Sequence, residues 1–185
     1  MHDKFKITVF FILVFSGVGL RLLCRDIPNF APVAALALYS GFFFRNSWFA
    51  ALIPISVLTI TNLYLGGYES WVVMLSVYAC LILPVLFGKK LLSQKVDGQF
   101  SVPTVMGLTL FGSLLFFFVT NYASWLYWYP KTVSGFVECY MAAIPFFRFT
   151  LMGDFFFCFV FFGAHALATR FVSSNATAPL KLEQS

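Results

Sequence analysis

The sequence predicts an all-α integral membrane protein: a bundle of six transmembrane helices, with an interfacial helix between the fifth and the sixth. Three observations carry this expectation. The 185 residues are 61% hydrophobic and only 10% charged, with a mean hydropathy of +0.88, which a soluble domain could carry only with a very large exposed apolar surface. The apolar stretches are continuous and lack the period-two alternation of outer-membrane strands, so the 26 phenylalanines belong to helices and not to a barrel. Finally, the apolar runs approach the roughly 17–25 residues that a spanning helix needs.

The runs are 7–24, 30–44, 48–65, 71–87, 102–121 and 149–169. The first follows Lys4 and Lys6 and so begins like a signal peptide, but no small-x-small cleavage site follows it, and it is read as a retained helix. The second, at 15 residues, reaches only about 22 Å; it is short, extended by its flanks, or incompletely spanning. Arg25-Asp26-Ile27-Pro28-Asn29 breaks the first hairpin and Arg45-Asn46-Ser47 makes the second connection tight. Gly66 to Ser70 separates the third and fourth runs, and the polar stretch 89–101 reads as a cytoplasmic linker. Pro130, Gly135 and Pro145 interrupt 129–147, so that 133–143 is expected to lie along the membrane surface. One bundle over 1–172 and a disordered cytoplasmic tail over 173–185 complete the domain organisation.

Basic residues set the orientation. With the N-terminus inside, the inner segments carry eight basic and three acidic residues and the outer segments four of each. This predicts a multi-pass protein of the inner (cytoplasmic) membrane with both termini inside. The net charge of +5 then sits on a face turned to anionic lipid, and no nucleic-acid partner is needed to explain it.

Polar residues concentrate in the outer half. The third run ends in Thr59, Thr61, Asn62 and Tyr64, the fifth in Thr120, Asn121, Ser124 and Trp125, Asn29 precedes the second, and Arg21 ends the first. Arg148 and Asp154 stand within the phenylalanine-rich stretch from Cys139 to Cys158. A charge at bilayer depth costs about 2.5–3.5 kcal/mol on insertion scales, so such residues face a cavity, a bundle interior or the interface. Six positions on a helix leave these two side chains roughly 120° apart, whereas Thr150 and Asp154 share a face; Pro145 is placed where it could open the helix that carries them. The expected ligand-binding residues are Arg148, Asp154, Asn62, Asn121, Asn29, Thr120 and Trp125. For the tryptophans the alternative is an aromatic belt, and for Asn62 and Asn121 it is interhelical hydrogen bonding. Arg148 is expected to be buried or half buried, with Glu138, Asp154 or Asp26 as its acidic partner or an anionic ligand group in their place.

Cys80 is either a small core residue or a soft ligand to a metal-bearing substrate; otherwise no metal site is expected. Cys24 and Cys139 fall on the outer side, where an oxidising compartment could join them. His2 and His165 stand alone at opposite ends, and there is no Walker-type loop, HExxH or GxSxG. No enzyme and no cofactor are expected.

At 29–38 (NFAPVAALAL), 114–121 (LLFFFVTN) and 143–154 (AIPFFRFTLMGD), the chain resembles a family of small bacterial membrane proteins of unknown function, over roughly residues 27–168. That family is similar in size and six-helix layout to the substrate-binding S components of energy-coupling-factor transporters. The resemblance implies capture of a vitamin-like or metal-bearing nutrient on the outer side, with separate energising transporter subunits as partners besides the ligand and the lipid bilayer. Their docking signal, Ala-x-x-x-Ala on the first helix, is absent from the first run here; Ala31 and Ala35 carry that spacing at the second. The alternative is a structural or assembly membrane protein, like small six-helix rod-shape factors, whose polar residues only lock helices together.

Overall fold

The computed structural model describes residues 2–93 and 100–176, and these form helices α1 (His2–Leu23), α2 (Val33–Phe43), α3 (Ser47–Leu65), α4 (Trp71–Ile82), α5 (Pro84–Ser93), α6 (Val102–Trp128) and α7 (Val133–Ala176). Only Leu83 separates α4 from α5. Pro84 has no N–H to return to the carbonyl four residues back, so the ladder is interrupted and the rod bends there. Counted as one bent span, α4 and α5 bring the described residues to six helices, as the sequence predicts.

Five of the six are long and apolar enough to cross a membrane: Lys4–Leu23, Ser47–Leu65, Trp71–Leu91, Val102–Trp128 and Val133–Phe171. They carry exposed large apolar side chains such as Phe15, Phe111 and Phe159 on their outer faces. The sixth, α2, has 11 residues, about 16 Å of helix, and its role is different. It packs against every other helix, and from Ala35 to Phe42 every residue is buried. A helix that is apolar all round belongs in an interior. The shortest run is therefore the axis of the bundle, and its length follows from being enclosed.

Two glycines bring α2 and α5 together. A Cβ on Gly41 would collide with the main-chain carbonyl of Val85, and one on Gly88 with that of Leu38, so the backbones meet at a distance only glycine permits. The close approach continues into an aromatic cluster at the same end of α2, where the Phe42 ring lies 5.3 Å from Phe162 and 5.6 Å from Phe100.

The longest helices form an antiparallel pair. Cys139 Sγ donates to the Asn121 carbonyl at 3.4 Å, Tyr140 Oη to the Phe118 carbonyl at 2.7 Å, and the Phe117 and Phe147 rings are 4.7 Å apart. Further along, Ser113 meets Asp154 and Thr109 meets Cys158, so α6 and α7 stay paired from Asn121 with Cys139 to Thr109 with Cys158. This corrects two expectations. The fifth run extends beyond 121 to Trp128. The stretch 133–143 is also no separate surface helix: α7 runs without interruption for 44 residues with Pro145 inside it, because its contacts with α6 continue on both sides of the proline. Of the expected linker at 89–101, 89–93 are helical and end α5 and 94–99 lie outside the described residues; of the expected tail at 173–185, 173–176 are helical and end α7 and the rest lies outside them.

Candidate functional site

Two adjoining cavities open where the C-terminal ends of α1 and α3 meet α4, α6, the N-terminal half of α7 and the loop before α2. The smaller, of about 270 Å³, is lined by Arg21 and Cys24 from α1 and the following turn, Tyr68 before α4, Cys80 on α4 and Asp154 on α7. The larger, of about 480 Å³, lies between α4, α6 and α7 and is lined by Thr120, Asn121, Ser124, Phe147 and the small Ala142 and Ala143. Asn29, Val77, Phe116 and Thr150 border both.

Local chemistry fixes each polar wall. Asn29 has φ 59°, the one positive φ of a non-glycine among the described residues, in the left-handed region that asparagine tolerates better than most side chains. That turn carries the chain from α1 over the cavities and into α2. Gly153 makes room for it, since a methyl there would lie 3.1 Å from Phe30 Cα and 3.2 Å from the Ala31 nitrogen.

Thr120, Asn121 and Ser124 donate to carbonyls of their own helix, at 2.7, 2.7 and 2.9 Å. The two hydroxyl protons and one amide proton are thus used locally, which fixes the direction of these side chains on the cavity wall. In the smaller cavity, the Arg21 guanidinium donates to Thr61 Oγ1 on α3, and Thr61 in turn donates to the Val57 carbonyl at 2.6 Å. Tyr68 is a second hydrogen-bonding neighbour of Arg21. Burial pushes the Tyr68 phenol above its ordinary pKa, and the nearby guanidinium pulls it back only in part. Tyr68 therefore stays protonated near neutral pH and keeps a hydroxyl to donate. Asp154, only 6% exposed, accepts from Ser113 Oγ at 2.5 Å.

Of the expected site residues, the structure brings Asp154, Asn29, Asn121 and Thr120 to the cavities, together with Cys80. Asn62 stands one layer back, donating to Tyr78 Oη at 3.2 Å and hydrogen-bonding Tyr68, which itself lines the smaller cavity. Trp125 directs its indole N–H to the Pro130 carbonyl at 2.9 Å, and Trp128 and Tyr129 line the larger cavity in its stead. Arg148 is a correction. It is exposed, lines neither cavity, and lies against the face of Phe149 at 4.6 Å. None of Glu138, Asp154 and Asp26 forms an ion pair with it; among the described residues the ion pair is Arg25–Asp26 at 3.7 Å. The angular offset from Asp154 explains this, because a helix that turns Thr150 and Asp154 inward must turn position 148 out.

The cysteines are free. Cys24 lines the smaller cavity and Cys139 the larger, so the expected bridge between them is not formed. No group of three or more His, Cys, Asp or Glu side chains converges among the described residues.

Sequence reasoning noticed Arg21 without giving it a role in the site, and it missed Tyr68 and Ser113. A signal for Ser113 was present: Thr109, Ser113 and Thr120 fall at helical spacing on one face of α6, a polar seam of the kind that marks helix contacts in apolar surroundings.

Fold and site together define a class: a small all-helical bundle, five of its helices long and apolar enough to cross a membrane, built round a buried central helix beside a polar-lined double cavity. Residues 1–177 match the model described as "Family of unknown function (DUF6580)", and the chain belongs to that family. No curated protein and no solved structure matches it.

Proposed function

We propose that this protein is a multi-pass protein of the cytoplasmic membrane, with both termini inside, that binds a small nutrient and serves its uptake without chemistry of its own. The observation that carries the reading is the double cavity. Two spaces of about 270 and 480 Å³ share four lining residues and together fall in the range of small-molecule sites, which combine apolar walls with a few placed polar groups. A bundle whose polar residues served only to lock helices would leave no open volume beside them; here Arg21 and Asp154, each bonded to a hydroxyl of another helix, also border a cavity, as does Asn29. The resemblance in size and six-helix layout to S components suggests separate energising subunits as partners and a vitamin-like or metal-bearing molecule as ligand, with Cys80, on the smaller cavity, the residue to meet a soft metal centre.

Thermal denaturation of the detergent-solubilised full chain, with and without a panel of B vitamins, cobalamin, amino acids and divalent cobalt or nickel, tests the proposal. A ligand that binds the folded state raises the melting temperature in proportion to the logarithm of its concentration above Kd. One compound giving a saturable rise supports the reading. Uniform indifference to the whole panel favours a structural or assembly role.

A further inference from the structure

The smaller cavity is lined by two ionisable groups of opposite sign that form no ion pair with each other. Arg21 comes from α1 and Asp154 from α7, two helices that make no contact among the described residues. Each is held by a neutral partner: the guanidinium by Thr61 and Tyr68, the carboxylate by Ser113. Hydroxyls fix the direction of these side chains but do not compensate their charge, and a charge removed from water without a counter-ion is costly. Arg25, the other cation on this cavity, is half exposed and already paired with Asp26.

From this arrangement we infer that the ligand is a small zwitterion, its anionic group received by Arg21 and its ammonium by Asp154, with its remaining bulk in the adjoining phenylalanine-lined space. The inference rests on the uptake reading and narrows its ligand class. A simple anion would satisfy Arg21 and leave Asp154 without a counter-ion; a simple cation would do the reverse. Only a molecule carrying both charges relieves both uncompensated groups, and it does so without changing the net charge of the cavity. Size agrees. A space of about 270 Å³ is close to the lower end of small-molecule sites, enough for the ammonium and oxyanion of a small molecule whose side chain enters the adjoining cavity. The fork of Arg21 suits a carboxylate or a phosphate ester equally. The shared chemistry is therefore an ammonium a few bonds from an oxyanion, as in a free amino acid or in a phosphoethanolamine lipid headgroup.

The test uses the detergent-solubilised full chain and three probe sets: the common L-amino acids; O-phosphoethanolamine together with nanodiscs containing phosphatidylethanolamine or only phosphatidylglycerol; and, for the best amino acid, its carboxamide and its desamino acid. A zwitterion is expected to raise the melting temperature, and loss of either charged group is expected to weaken half-saturation about tenfold or more. Stabilisation by phosphatidylethanolamine alone assigns the site to the headgroup, and stabilisation by free amino acids assigns it to the soluble compound. Asp154→Asn is expected to abolish the preference for the amine over the desamino acid, and Arg21→Gln the preference for the carboxylate over the carboxamide. The analogue comparison on the unmodified protein stands even if a variant fails to fold. Stabilisation by singly charged or neutral compounds, with no zwitterion effective, overturns the inference and leaves the uptake reading standing. Indifference to every compound, vitamins included, overturns both.

Discussion

Ser113 on α6 donates its hydroxyl proton to Asp154 on α7 at 2.5 Å, joining the two longest helices at the point where α7 turns its buried carboxylate toward the smaller cavity. The bond has two roles. It satisfies one oxygen of a carboxylate that is 6% exposed, and it fixes the direction of the side chain. Removing one partner of a buried, charge-bearing hydrogen bond costs more than such a bond contributes on average.

Ser113→Ala is expected to destabilise the solubilised protein by about 1–3 kcal/mol. In the Asp154→Asn background, which removes the charge, the same substitution should cost clearly less. Thermal melts of the four proteins of this cycle measure the coupling, and strictly additive effects would mean that the two side chains do not meet.

Gly41 and Gly88 are expected to be the least replaceable glycines of the bundle. Alanine at either must push α2 and α5 apart, since the obstacle is main-chain carbonyl and not a movable side chain. Overpacking of this kind costs about 1–3 kcal/mol. Gly107→Ala is the control, because nothing lies within 4 Å of a Cβ there and alanine favours the helix. Melting temperatures should fall for the first two variants and hold or rise for the third.

Arg148→Ala is expected to leave stability within about 0.5 kcal/mol of the unmodified protein, as for other surface positions, and to leave ligand stabilisation intact. The guanidinium is exposed and borders neither cavity. Asp154→Ala, measured beside it, should differ on both counts. A loss of ligand response in Arg148→Ala with a normal melt would return Arg148 to the site.

Orientation is tested by single cysteines in a cysteine-free background. Glu69 precedes the bent α4–α5 span and Lys89 lies near its C-terminal end; both are exposed, whereas Ser70 is 2% exposed and unsuited to labelling. With both termini inside, a cysteine at 69 should react with an impermeant maleimide added to intact cells and one at 89 only after permeabilisation. The reverse pattern inverts the topology.

The class of architecture and the location of its polar end are both legible in the order of residues along the chain. Helix number follows from continuous apolar runs, which need no knowledge of neighbours. The gathering of Arg21, Asn29, Thr61, Asn121 and Asp154 at one end follows from counting runs that alternate in direction. The inward face shared by Thr150 and Asp154, and the opposite fate of Arg148, were implicit in the helical period, although the cost of a charge among phenylalanines argued for burial of both Arg148 and Asp154. Only the tertiary structure decided that α2 is the axis of the bundle. Length and composition describe a helix in isolation, whereas enclosure on every side is a property of its neighbours. The same holds for the continuity of α7 through Pro145, which contacts with α6 maintain on both sides of a residue that usually interrupts a helix. It holds also for the pairing of Ser113 with Asp154 and for the separation of Arg21 from Asp154 across a cavity. Each is a relation between residues 41 or more positions apart in the chain, and no local pattern encodes a distance between helices that packing alone sets.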